Sequence, residues 1–197
     1  NPLPDLWLKQ AHDSGLQLTH TTEFSTMLLA GEQMQLASAK AIDSGYPFYG
    51  HLVLAPQQEV RPGELWLSHQ LMLLLQVKLG DEVQLGSTSL RVAGELLQEP
   101  DQSFNPLALA PRALMHQHDL GAAQVILPGS RVTHRYLFHG TESALNNWDA
   151  WLATRLQPGQ KLLKPEQANR NLSHQLDRSE RFFRVASLLG LLLGATA

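Results

Sequence analysis

The chain has 197 residues, of which 43% are apolar and 17% are charged, with a formal net charge of −3 and no cysteine. This length and composition predict a folded protein with one sizeable domain or two small subdomains, and they exclude a disordered chain. The charge balance, without a long basic run, excludes a nucleic-acid-binding surface. The lack of cysteine excludes disulfides, thiolate nucleophiles and zinc–thiolate sites.

The first part of the chain is predicted to form a short helix and a long β-hairpin. Residues 4–12 mix apolar and polar side chains, which indicates a helix that stops near Gly15. After Gly15, β-forming residues dominate, and a glycine in the turn at 30–32 lets two long strands fold back on each other.

The segment 41–54 is dense in glycine, proline and aromatic residues. Its turn signals predict a loop, and this loop carries a candidate interaction surface made of Tyr46, Phe48 and Tyr49. Aromatic rings in such a loop more often fill a junction between two subdomains than bind a partner. Both interpretations stay open at this point.

The middle of the chain, 62–129, is predicted to be mostly β with helices inserted. A short strand comes first, and a helix then runs from its N-cap, Ser68, to Gln76. Leucine and methionine cover most of the circumference of this helix, which predicts burial. A strand pair follows, and alternation puts Leu90 and Val92 on one face of its second strand.

The chain after this strand pair is predicted to form one more helix and two strands. Pro111 suits the first turn of a short helix that reaches His118. Apolar residues then predict strands over 125–127 and 131–140.

The last third of the chain is predicted to be helical. Apolar residues recur every three or four positions over 141–157, a short strand can form at 161–164, and Pro165 opens a long helix. That helix continues into the apolar run 188–197, which would span about 15 Å, half of a hydrocarbon core of about 30 Å. The run is therefore predicted to be the start of a truncated transmembrane helix, with a buried core helix as the alternative.

No constellation of residues predicts catalysis, a cofactor or a metal site. Nine histidines raise the question of a metal, but His116 and His118 would point to different faces of the predicted helix. The serines that follow Gly86 and Gly129 resemble turn residues, and neither lies in the strained turn typical of a nucleophile. No glycine-rich loop has phosphate-binding spacing.

Several stretches of the sequence together resemble one known family. The most specific stretch is 62–86, in which a Pro-Gly-Glu start leads through a leucine-rich helix to a Gly-Asp turn and a strand. The motif AIDSGYPFYG at 41–50 and the motif LDRSERFFRVASLLGLLLG near the C-terminus add to it. Over nearly its whole length the chain resembles the extracytoplasmic domain of MacB/FtsX-type ABC transporter permeases, and among them the YbbP-like permeases.

The resemblance implies an α+β fold in two parts, the MacB-like periplasmic core. A discontinuous porter-like α/β subdomain would be built from residues 1–55 and 131–187. A mostly β subdomain, residues 56–130, would be inserted between them, and residues 188–197 would begin a transmembrane helix.

The resemblance also implies a function and partners. The domain would lie on the periplasmic side of a bacterial inner membrane and couple ATP hydrolysis in a cytoplasmic ATP-binding subunit to movement of a periplasmic substrate or partner. This coupling would be mechanical, or would export a lipid-like or hydrophobic molecule. The chain would not be an enzyme and would need no cofactor. The full-length permease would be a homodimer, with a periplasmic esterase, a lipoprotein or a lipid as partner.

Two other functions compete with this one. The chain could be a soluble periplasmic binding or adaptor module without a membrane span, in which the run 188–197 is a buried helix. A hydrolase that acts on lipid is the third hypothesis, and the sequence contains no motif for it.

Overall fold

The computed structural model describes residues 2–100, 110–127 and 129–163. They form a mixed α/β fold in which the sheet dominates, so the predicted mixture of helices and strands is confirmed. The elements, in chain order, are α1 (Asp5–Asp13), β1 (Gln17–Ala30), β2 (Gln33–Ile42), β3 (Val53–Ala55), β4 (Glu64–Leu67), α2 (His69–Leu75), β5 (Glu82–Leu85), β6 (Thr88–Gln98), β7 (Arg112–His116), a 3-10 turn (Gln117–Asp119), α3 (Leu120–Ala123), β8 (Val132–His139) and α4 (Glu142–Ala153).

The chain divides into two compact units, Asn1–Leu145 and Asn146–Ala197, and the boundary falls within α4. The first unit contains the whole sheet. In the second unit, the rings of Trp148 and Trp151 stack with their centroids 4.9 Å apart. Helix α4 confirms the amphipathic helix predicted after residue 141.

Eight strands form one sheet in the order β2-β7-β4-β6-β5-β1-β8, with β3 paired to β6. Because β1 also pairs with β2, the six strands from β2 to β1 form a closed ring. Strand β8 lies outside this ring, paired with Gln17–Phe24 of β1, while β5 pairs further along β1 at Leu28 and Leu29. The pairs β2–β7 and β4–β6 are parallel.

The predicted hairpin is confirmed. Strands β1 and β2 pair antiparallel from Thr21 opposite Ile42 to Ala30 opposite Gln33. Gly31 in the turn has a φ of +56°, which glycine adopts without the strain that a Cβ would cause. The turn therefore lies where the glycine predicts it.

The core of the first unit has two clusters of buried side chains. The larger cluster collects residues from the hairpin, β4 to β7, α2 and α3, among them Phe24, Leu28, Leu65, Leu71, Val92 and Met115. The smaller cluster consists of Ile42, Tyr46, Leu54, Trp66, Leu96 and Leu114. The predicted alternation in β6 is confirmed, because Leu90 and Val92 are both buried.

The predicted helix from Pro111 to His118 is wrong. Residues Arg112–His116 form β7, which pairs parallel with β2 and antiparallel with β4. Its three central residues are buried. A strand in the middle of a sheet is covered on both faces and therefore carries the same continuous apolar run as a buried helix. Pro111 directly precedes the strand, where a missing N–H costs no ladder hydrogen bond.

Four smaller predictions also need correction. Residues 125–127 and 161–163 contain no strand. Helix α2 buries Leu71 and Leu75 but leaves Leu73 65% exposed, so its apolar circumference does not mean full burial. Ser68 precedes α2 as predicted, but its Oγ accepts a hydrogen bond from the Arg112 backbone N–H at 3.1 Å and does not cap the helix.

The helix predicted from Pro165 and the apolar run 188–197 lie outside the described residues. Across the ranges that the structure describes, every helix is too short or too polar to cross a membrane. The single sheet contains strands from both predicted subdomains, and their division at residues 56 and 131 stays a prediction.

Candidate interaction site

The three aromatic residues predicted as an interaction surface lie in different environments of the connection between β2 and β4, residues 43–60, which contains the short strand β3 and is called here the aromatic loop. Tyr46 is buried in the smaller core cluster, and its hydroxyl lies 3.4 Å from the Nζ of Lys40. The rings of Phe48 and Tyr49 lie against His139 at the end of β8, with centroid distances of 5.6 and 5.8 Å. Tyr46 therefore anchors the loop, while Tyr49, 63% exposed, presents its ring at the surface.

A cavity of about 720 Å³ lies within the aromatic loop. The charged residues of its wall are Asp43 and Glu59, and among the described residues that line it there is no lysine or arginine. Apolar side chains such as Leu52 and Val60 complete the wall. A cavity of this size can hold a small ligand or a few side chains of a partner. Its charge favours a neutral or cationic group over an anion.

A buried ion-pair network fixes the strand ends next to Tyr46. The Nζ of Lys40 lies 2.8 Å from Glu99 Oε2 and 3.4 Å from Glu23 Oε1, and the guanidinium of Arg112 lies 2.9 Å from Glu99 Oε1. The side chains of Lys40 and Glu99 are 8% and 4% exposed. A buried charge that loses its partner is strongly destabilising, so this network holds β2, β7 and the end of β6 in fixed relative positions.

A histidine cluster that the sequence analysis missed joins β1 to β8. His20 Nε2 lies 3.2 Å from His134 Nδ1, and Thr22 Oγ1 lies 3.2 and 3.4 Å from these two nitrogens. The ring of Tyr136 stacks on His20 at a centroid distance of 4.2 Å and an angle of 7°. The two histidines are 114 positions apart in the chain. They meet because β1 and β8 place them diagonally on one face, with Thr22 opposite His134.

The environment of this cluster favours uncharged rings. Burial lowers the pKa of His20, and the negative charge of Asp43 opposes this effect by raising it. Burial also lowers the pKa of His134, and the charge of a protonated His20 would lower it further. Burial raises the pKa of Tyr136, although its hydroxyl accepts a hydrogen bond from the Leu3 backbone N–H at 3.1 Å.

The side chains of the two histidines considered in the sequence make separate contacts. His116 ends β7, where its Nδ1 accepts a hydrogen bond from the His118 backbone N–H at 3.1 Å and its Nε2 lies 3.3 Å from Ser44 Oγ. His118 Nδ1 instead lies 3.5 Å from the carboxylate of Asp119. Within the described parts of the chain, no three histidine, aspartate or glutamate side chains are grouped to hold a metal ion.

The two serines that follow a glycine are turn residues, as predicted. The Ser87 backbone N–H donates to the Ala123 carbonyl at 2.8 Å. The Ser130 hydroxyl accepts from the Leu127 backbone N–H at 3.0 Å. Each contact closes a connection between elements, and the partner of each serine is a backbone group.

No family model matches the chain. The chain is 40% identical, over 196 residues, to a protein of Escherichia coli (strain K12) described as the uncharacterized ABC transporter permease YbbP. The match covers 99% of this chain and 24% of that relative. The chain therefore spans about a quarter of the length of the relative that it matches.

In fold, the chain is similar to the extracellular domain of the noncanonic ABC-type transporter YknZ from Gram-positive bacteria. The TM-score is 0.51, and the similarity covers 75% of this chain and 80% of that domain. The sequence identity is 13%, so this likeness concerns the fold alone. The identity to YbbP carries the relationship: the chain is a homologue of one segment of that permease.

Proposed function

We propose that this chain is the periplasmic domain of a bacterial ABC transporter permease that couples cytoplasmic ATP hydrolysis to movement of a periplasmic substrate or partner. The observation that carries the proposal is the 40% identity to YbbP over 99% of the chain. The similarity of fold to an extracellular domain of another ABC-type transporter supports it.

The proposal assigns binding and mechanical roles to the domain and leaves catalysis to another subunit. ATP would be hydrolysed by a separate cytoplasmic ATP-binding subunit bound to the membrane part of the permease. The full-length permease would be a homodimer in the inner membrane. Residues 188–197 would begin a transmembrane helix through which movement reaches the domain.

The proposal keeps the two-part organisation expected from the family resemblance. Residues 1–55 and 131–187 would form the porter-like subdomain, and 56–130 the inserted subdomain. The pairing of β1 with β8 supports the first part, because it joins the N-terminal and C-terminal segments through backbone hydrogen bonds. The pairings of β1 with β5 and of β2 with β7 would then transmit movement between the parts.

The aromatic loop is the docking surface that we assign to the periplasmic partner. Tyr46 and the ion pairs of Lys40 hold its base, so the exposed Tyr49 is presented from a rigid support. An aromatic ring on a fixed base binds with little loss of conformational entropy. The adjoining cavity, with Asp43 in its wall, would receive an uncharged or basic group of the partner.

Thiol labelling in cells tests the location and the membrane attachment. Because this chain has no cysteine, Ser87→Cys in a full-length permease freed of other cysteines gives a single exposed thiol. We expect a membrane-impermeant maleimide to label it in intact cells, with the protein in the membrane fraction. Ala37→Cys, which is fully buried, is the matched control and should not react.

Two other outcomes would contradict this proposal in different ways. Label on a protein that osmotic shock releases would favour the soluble periplasmic module. Label that enters only after cell lysis would exclude a periplasmic location.

Photocrosslinking tests the docking surface. A photoreactive amino acid in place of Tyr49 should capture a periplasmic protein, such as an esterase or lipoprotein, or a lipid, that mass spectrometry can identify. The same group in place of Glu32, exposed in the hairpin turn, is the control and should capture none of it. Equal capture at both positions, or none at either, would remove the aromatic loop as the docking surface.

A further inference from the structure

Strand β8 is attached to the sheet without a deeply buried side chain. Of its eight residues, all described, none is fully buried, and Val132 is the one that packs at the edge of the larger core cluster. Among the described strands it pairs with β1 alone. Its attachment therefore depends on the backbone ladder, on half-buried apolar side chains such as Leu137, and on polar contacts, several of which involve histidine.

The central contact is the triangle of His20 Nε2, His134 Nδ1 and Thr22 Oγ1, with sides of 3.2, 3.2 and 3.4 Å. The Thr22 oxygen also accepts a hydrogen bond from Gln117 Nε2 at 3.0 Å. The stacked ring of Tyr136 fixes the plane of His20. The two facing nitrogens therefore have few alternative partners.

The donor and acceptor nitrogens of the two rings set how many protons the histidine pair can bind. A neutral imidazole has one N–H donor and one acceptor nitrogen, so one facing nitrogen donates to the other. One added proton can sit on an outward nitrogen and leaves that hydrogen bond intact. A second added proton makes both facing nitrogens donors, and the partly used Thr22 oxygen is the one acceptor left in the triangle. Two positive charges would then also face each other across 3.2 Å.

The charged groups around the pair offset this repulsion only in part, since the pKa of His20 stays lowered despite Asp43. Asp43, at the end of β2, is the acidic group that favours protonation of His20. Asp5 of α1 acts on Tyr136. On the same two strands, Glu23 is paired with Lys40 and with Arg135, so its charge is compensated.

We propose that β8 is an acid-sensitive strand, held to β1 by a histidine pair that binds one proton but not two. Below about pH 6.5, where free histidine becomes charged, detachment of β8 takes up protons that the attached strand excludes. Burial lowers the pKa of both rings, so attachment is fully stable above this pH and weakens as the pH falls. This acid sensitivity of β8 does not depend on the proposed transport function.

Residue-resolved hydrogen exchange on the full chain tests this proposal. After correction for intrinsic rates, the opening constant of β8 amides should rise by up to about tenfold per pH unit below about 6.5 for each proton taken up. Amides of β4 and β6 should show no such rise. A β8 opening constant that changes with pH no more than that of β6 would overturn the proposal.

Two glutamine variants distinguish the contribution of the histidine pair to this pH dependence from that of other histidines. His134→Gln keeps a polar group beside His20 but removes one titrating ring, and it should lose most of the pH dependence of β8 opening. His139→Gln, on the same strand, is the matched control and should keep that dependence. A titration of the imidazole signals in the wild-type chain provides a test that needs no variant. One ring of the pair should stay neutral well below pH 6.5, and two independent titrations near 6.5 would overturn the proposal.

Discussion

Strands β7 and β8 belong to the same sheet but are held in opposite ways. Strand β7 lies between β2 and β4, with its three central side chains buried. Strand β8 pairs with β1 alone among the described strands, and its eight side chains, polar and apolar, are half-buried or exposed. Burial stabilises the first strand in a way that does not depend on pH, whereas polar contacts make the second responsive to its surroundings.

This difference has a mechanical meaning if the domain is driven from a membrane. Proteins open first where few apolar contacts are buried, and the segments that move in function come from such regions. Strand β8 leads directly into α4 and the C-terminal segment. Movement delivered from the C-terminal side would therefore reach β8 before it reached the ring of six strands, and the core could stay folded.

The largest loss of stability is expected from a substitution at the centre of the sheet. Leu114→Ala in β7 removes a fully buried side chain from the smaller core cluster. It should lower the free energy of unfolding by about 2–5 kcal/mol, measured by urea denaturation. The matched change in β8, Leu137→Ala, removes a half-buried side chain and should cost clearly less. Equal losses would show that the two strands are held alike.

The second comparison concerns ion pairs. Glu99→Gln removes the charge that Lys40 and Arg112 share, and it should cost about 3 kcal/mol because both cations lie at least partly buried. Arg135→Gln in β8 removes a more exposed partner of Glu23 and should cost less than about 1 kcal/mol. Denaturation at low and high salt checks the difference, since salt should reduce the effect at position 135 more strongly. A larger loss for Arg135→Gln than for Glu99→Gln would contradict the contrast between the two strands.

The smallest expected effect is at a single hydroxyl. Tyr136→Phe keeps the ring that stacks on His20 but removes the acceptor of the Leu3 N–H. The expected loss is about 1 kcal/mol, seen as faster hydrogen exchange in β8 and at Leu3. Tyr49→Phe, which loses an exposed hydroxyl near His139, should leave that exchange almost unchanged. Faster exchange throughout β4 and β6 in Tyr136→Phe would show that β8 does not open independently.

Local signals in the sequence were enough to predict part of this fold. The hairpin could be predicted because a glycine with positive φ separates two runs of β-forming residues. Alternation in β6 gave the buried face correctly, since Leu90 and Val92 point into the core. Strand β7 could not be predicted in this way, because its burial on both faces removes the alternation that marks a strand.

The candidate site was predictable only in part. The aromatic loop has a local signal, but nothing local shows that Tyr46 is buried while Tyr49 is exposed. That difference depends on Lys40 and His139, which belong to other elements. The histidine pair has no sequence signal at all, because the register of β1 against β8 decides which of nine histidines meet.

The most direct test of the proposed coupling is hydrogen exchange of this domain within the full-length permease, bound to its ATP-binding subunit in a lipid bilayer. Exchange would be compared between ATP-bound and ADP-bound states at constant pH. We expect the nucleotide to change exchange in this domain, with a larger change in β8 than in β4 or β7. Identical exchange across the whole domain in both states would contradict the claim that ATP hydrolysis moves it.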